Sequence, residues 1–316
     1  MAKPAPFRPL EDYYGEQAFA PELSLSPVNG LTTTHDGQLI SDLLISAYDA
    51  PVQINHRVEM RNCHVLYRDA AGVLVNSGGS RSQFRDVITY CSALPNPIAA
   101  LSARYGFELD NADAVVIERL RNNGGSGGLV ADNCFNLQLR RLAVHNPFSS
   151  SSGAAILLRD CYSSYLRDYG ILSSLTTSFA QSGLLLEDCH GINVQRGFVD
   201  GNNSVTGWAI EARDSDMCIV EDGQVAHFGG GVAATGNSKN TRFEKIHARD
   251  SHVVGQGGRS APAIKAAFYR GDDTEATVFD RCTYFDLNVG TTALAGTAVC
   301  SIADVTQKEL PDAQLQ

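Results

Sequence analysis

Positive charge is in short supply in this chain: 25 Lys and Arg against 35 Asp and Glu leave a formal net charge of −10 over 316 residues. A protein that follows a nucleic-acid backbone needs a basic surface to displace counterions, so the balance argues against a nucleic-acid partner. Long apolar runs are missing too, and nothing approaches the roughly 20 residues of a spanning helix, which argues against a membrane partner. The opening Met1-Ala2-Lys3-Pro4-Ala5-Pro6-Phe7 has no apolar stretch of the kind a secretory leader carries. The expected location is the cytoplasm, or a virion assembled there.

Eight cysteines are present, yet no two are spaced as CxxC. That absence weighs against zinc, so no cofactor is predicted, with calcium kept open wherever carboxylates stack. The runs Gly124-Gly125-Ser126-Gly127-Gly128 and Gly229-Gly230-Gly231 do not lead into Gly-Lys-Ser/Thr, which excludes phosphate loops and leaves turns.

What the chain does have is a repeated phrase. Leu129-Val130-Ala131-Asp132-Asn133-Cys134 returns as Ile156-Leu157-Leu158-Arg159-Asp160-Cys161, Leu184-Leu185-Leu186-Glu187-Asp188-Cys189 and Ile210-Glu211-Ala212-Arg213-Asp214-Ser215. With the Asp or Asn as anchor, copies sit at Asn111, Asn133, Asp160, Asp188, Asp214, Asn237 and Asp273, spaced 22, 27, 28, 26, 23 and 36 residues apart. After each anchor apolar residues alternate, as at Val115 and Ile117 or Ile192 and Val194, which reads as a short strand with one face inward. Two polar residues then follow in succession, as in Glu118-Arg119, Arg140-Arg141 and Gln195-Arg196. Two outward side chains in a row mean a corner, and alternation resumes beyond it at Leu142 and Val144. Each copy holds three short strands. An all-β solenoid, a right-handed parallel β-helix of about ten coils, accommodates such a unit. Cys134, Cys161 and Cys189 share one inward position and read as a ladder of buried free thiols, slightly too far apart for relaxed disulfides.

Over residues 51–288 this coil pattern resembles the pectin-lyase-like superfamily of right-handed β-helices. The resemblance implies the fold. It carries over no catalytic residue, because His190-Gly191 and Asp272-Asp273 match only fragments of the galacturonase aspartate pattern, and the calcium ligands of pectate lyases have no counterpart. Residues 1–50 read as a proline-rich N-terminal arm followed by a capping helix, with Asp36 as N-cap and Leu39, Ile40, Leu43, Leu44 and Ala47 on one face. Residues 289–316 read as a C-terminal cap and a polar tail. One domain is expected.

Stacking brings equivalent residues of neighbouring coils to about 4.8 Å, so chemistry is sought in columns. The column before the anchor holds Asp110, Asp132, Arg159, Glu187, Arg213, Gly236 and Asp272, with Glu211 beside it. Arg159 or Arg213 would pair with a sugar carboxylate while Glu187 or Asp132 moves a proton. The bland alternative is a ladder of ion pairs. A second cluster gathers His145, Asp200, His227, Arg249, Asp250 and His252 at one edge of the solenoid, where Asp200 or Asp250 would orient a histidine. Arg196 falls in the corner column, between Asp168 and Asp222, and reads as part of a solvated ladder or a substrate contact. The column three before the anchor, Val130, Leu157, Leu185 and Ala234, points outward and calls for a cover, either the arm or a second subunit, which makes it a candidate homo-oligomer contact.

Two classes of function fit. The first is an enzyme acting on carbohydrate or another small polar substrate, a polysaccharide lyase or uronate epimerase working in the Arg/carboxylate groove, with glycoside hydrolase as a variant. The second is a non-catalytic solenoid: a phage tail or receptor-binding part, or a docking scaffold.

Overall fold

The computed structural model describes residues 26–92, 105–145, 147, 154–172, 182–201, 207–228, 230–249, 266–271, 273–285, 292–295, 301–302 and 305–307. These residues form a parallel β-helix. The first strands of successive coils build a ten-stranded sheet, and the second and third strands together build a nineteen-stranded one. Register runs straight up the stack: Phe107 lies opposite Leu129, then Ile156, Leu184, Ile210, Val232 and Phe268. All seven are fully buried. Each such aliphatic side chain contributes roughly 1.5–3 kcal/mol by leaving water, which offsets the ordering of a coil with few local contacts.

The corners are made by left-handed backbone. Asn111, Asn133, Asp160, Asp188 and Asp214 have φ between 48° and 53°. Asn and Asp tolerate that region best among residues with a side chain, which is why the anchor is so regular. Arg119, Arg141, Asp168, Arg196, Asp222, Lys245 and Arg281 also sit at positive φ, from 53° to 59°. They are the second residues of the paired polar positions, so the break in alternation is a left-handed residue that resets the phase. The backbone ladder continues through it, with the Arg141 amide donating to the Arg167 carbonyl at 2.9 Å.

Three expectations are corrected. No capping helix forms: Gln38–Ser41 and Leu43–Ala47 are strands of an early coil, Ile40 opposite Met60 and Ile45 opposite Val65. Asp42 between them has φ 58°, and this phase break makes two alternating runs imitate a helical spacing. Asp36 accepts a bond from the Arg57 amide at 3.0 Å, one coil on, instead of capping a helix. The anchor also slips by one residue late in the stack. Arg213 pairs with Thr235, so Gly236, with φ 59°, takes the anchor place given to Asn237, and Thr235 takes the column place given to Gly236. The turn there has one extra residue, and Asn237 spends it donating its amide to Asp214 Oδ1 at 2.8 Å.

The outward stripe is Val130, Leu157, Leu185, Glu211 and Ala233, not Ala234, which faces inward. Leu157 and Leu185 are only 3% and 4% exposed within the single chain and cluster with Ala154 and Val130. Leu157 and Leu185 are therefore covered within the single chain. The rest of the expected arm, residues 1–25, and the tail from 308 lie outside the described residues. Among the described residues no helix is long and apolar enough to cross a membrane.

Candidate functional site

The column before the anchor comes together as stacking requires. Arg159 reaches Asp132 Oδ2 with Nη1 at 3.3 Å and Glu187 Oε2 with Nε at 3.1 Å. Arg213 donates from Nη1 to Glu187 Oε1 at 3.1 Å and grips Glu211 with Nε and Nη2 at 3.1 and 3.0 Å. Glu211 accepts further bonds from Ser182 Oγ at 2.8 Å and Thr235 Oγ1 at 2.9 Å, and its side chain is only 6% exposed. Each carboxylate named is bonded to a guanidinium. Alternating charges on parallel strands stack favourably, so this row has the character of a ladder that ties five coils together.

The second cluster has a different character. Asp200 ends the strand Asn193–Asp200, and its Oδ1 lies 2.9 Å from His227 Nδ1, one coil on. Both side chains are part-exposed, at 20% and 31%. His227 stands at φ 55°, just past the strand Gln224–Ala226, so its ring swings back over the Asp200 row. Its amide donates to the Arg249 carbonyl. Gly201 makes room for the turn: a Cβ there would meet the Phe228 ring at 2.8 Å and the His227 carbonyl at 2.7 Å. His145, Leu172, Asp200, Ala226 and Arg249 share one register row, so His145 and Arg249 each stand two strands from Asp200. Burial, helped by Arg121, pushes the His145 imidazole down to about 4, which keeps it neutral. Asp250 and His252 lie outside the described residues.

Arg196 holds Asp168 with two bonds, at 2.5 and 2.7 Å, as a corner ladder would. Among the described residues no three His, Cys, Asp or Glu side chains converge as metal ligands. One feature escaped the sequence reading. Phe135, Tyr162 and His190, each two residues past an anchor, stack at the edge of the solenoid, with Phe135 and Tyr162 parallel at 5.2 Å. The repeat itself held that signal, since the three share one column.

No protein-family model matches the chain, and no curated protein is similar to it. Solved structures are. The Dettilon tailspike protein matches with a TM-score of 0.54 and 12% identity, over 89% of this chain and 61% of its own. The full-length tailspike protein 2 from Escherichia coli O157:H7 bacteriophage CAB120 matches at 0.46 and 10%, over 89% and 38%. The mannuronan C-5 epimerase A-module of Azotobacter vinelandii matches at 0.39 and 12%, over 85% and 91%. This chain thus spans less than two thirds of either tailspike. At these identities the likeness is one of fold alone, the parallel β-helix.

Proposed function

We propose that this chain is a carbohydrate-active β-helix in which the His227–Asp200 pair moves a proton on a uronate, as a lyase or an epimerase does. The 2.9 Å contact between His227 Nδ1 and Asp200 Oδ1 is the observation that carries the reading. The Asp200 carboxylate accepts a hydrogen bond from Nδ1–H, which leaves the unprotonated Nε2 as the base. Nε2 takes the proton from the sugar carbon next to the carboxylate, and the electron pair delocalises into that carboxylate. A guanidinium bonded to the carboxylate lowers the barrier, and Arg249, two strands or about 9.6 Å from Asp200 along the stack, has the reach for it. Departure of the leaving group on the neighbouring carbon gives an unsaturated sugar, and reprotonation from the other face gives the epimer.

The test is an ultraviolet absorbance screen for unsaturated product against polyuronates, with solvent-deuterium incorporation for epimerisation. His227→Gln should lower turnover by about 10²–10⁴-fold, and Asp200→Asn by a smaller factor with a shifted pH profile. Release of reducing ends without new absorbance would redirect the assignment to glycoside hydrolysis. A second reading, a receptor-binding part of a virion, draws support from the Dettilon tailspike's match over 89% of the chain. Glycan binding without any turnover would favour it.

A further inference from the structure

Across the corner from the His227–Asp200 pair, the outward face of the second strands carries a shallow groove of about 620 Å³, lined by Arg140, Tyr165, Arg167, Asn193 and Gln195. Its charge is concentrated in two residues of one sign. Arg140 lies directly opposite Arg167. Like charges at opposed strand positions repel, a cost that the row from Asp132 to Arg213 avoids by interleaving its charges. Arg140 forms no ion pair among the described residues, and its Nε donates to the Tyr165 hydroxyl at 2.7 Å. Among the described residues Arg167 comes no nearer a carboxylate than Asp168 at 3.9 Å, and Asp168 is already held by Arg196. Two guanidiniums thus stand side by side, short of counter-charge, on a protein of net charge −10.

Two further observations concern the ligand's shape. Asn193 Oδ1 is buried and accepts from no group among the described residues, a cost that a hydroxyl donor in the groove would relieve once the amide turns toward it. Tyr162, next in sequence to the groove-lining Ser163, stacks on Phe135, and the two are 38% and 41% exposed. Because these rings stack on each other, their edges face outward, and the edge of an aromatic ring is the positive part of its quadrupole. The basic window is also short. Along its column Glu118 precedes Arg140, and Gln195 then Glu221 follow Arg167, so a long polyphosphate would meet carboxylates at both ends.

We propose that this groove binds an acidic saccharide, one carboxylate bridging Arg140 and Arg167 and the pyranose ring lodged toward Asn193 and the edge of Tyr162. The choice of a sugar among small anions rests on the glycan reading above; the groove itself does not depend on catalysis at His227. The experiment is calorimetric titration of the full chain with trigalacturonate, trimannuronate and trisialate, each beside its carboxyl-reduced neutral form. At least one acidic trimer should bind, its reduced form about tenfold or more weaker, and the double variant Arg140→Gln/Arg167→Gln should lose affinity by a similar factor. That variant relieves like-charge repulsion, so it should melt no lower than the parent chain, and Tyr162→Ala should weaken the trimer alone. Binding by the parent chain with no turnover of any of the three trimers would uphold the groove and sink the reaction. The groove assignment fails if none of the three trimers binds at millimolar concentration. It fails equally if neutral forms bind as well, or if tripolyphosphate binds as tightly and is indifferent to Tyr162→Ala.

Discussion

Glu108 and His145 are strained by burial in opposite senses with pH. Burial raises the Glu108 carboxyl above its usual range, against a weaker lowering by the Tyr105 backbone. The folded chain therefore holds that proton more tightly than the unfolded one, and stability falls as pH rises from the ordinary 4.5 through the raised value. Glu108→Gln should raise the melting temperature at pH near 7 and change nothing near pH 4, which parallel thermal melts would read. His145 runs the other way. Its folded value of about 4 lies below the ordinary 6.5, so stability is full above 6.5 and is lost as pH drops toward 4. His145→Gln should flatten the acid limb of a stability–pH curve, an effect of at most about 3 kcal/mol, measured by urea unfolding at stepped pH. Neither behaviour is legible from residue type. Val115 and Ile117 could be read as inward from their alternation, but what surrounds Glu108 depends on strands drawn from other coils.

At the scale of the element, the turn after the first strand decides most. Its left-handed residue is Asn in the early coils and Asp at 160, 188 and 214. Asn133 donates its amide to Asn111 Oδ1, a bond the Asp column cannot make. The Asp188 carboxyl is instead raised, by burial first and then by Asp160 and Asp214 on either side. Asp188→Asn keeps the backbone preference, removes the repulsion and adds a donor, so it should stabilise the chain by about 0.5 kcal/mol, read by chemical denaturation. Asp188→Val should cost about 1–2 kcal/mol, because a branched side chain fits φ 52° badly. The corner after the second strand was legible from two successive outward polar residues. Early in the chain the same device misled, since the phase break at Asp42 turned strand alternation into an apparent helical period.

The whole molecule is a stack, and its thiols report on it. Cys134, Cys161 and Cys189 are buried and unpaired, each donating to a carbonyl of the preceding coil, at 3.6, 3.5 and 3.2 Å. Burial likewise pushes the Cys218 thiol up to about 11. Seven of the eight cysteines are buried and free, so a thiol reagent should label at most one site on the native chain and all eight after denaturation, counted by mass spectrometry. Reductant should leave the melting temperature unchanged. Rapid labelling of the ladder in the native state would contradict the stacked core.

Periodicity in the chain was enough for the coil, the inward rows, the thiol ladder and the Arg159–Glu187–Arg213 column. Each is a nearest-neighbour relation repeated along one axis, so a local pattern encodes it. The repeat also gathers Asp200 and His227, 27 residues apart, at one edge, but their direct contact is of another kind. It needs the left-handed swing at His227 and the space left by Gly201, and neither follows from the repeat. The same holds for the charge rows. Asp132, Arg159 and Glu187 read from sequence as a catalytic groove or a ladder of ion pairs, and only the structure shows each of the two carboxylates bonded to a guanidinium. Arg140 and Arg167 read as ordinary corner charges until their register set them opposite each other with no carboxylate between.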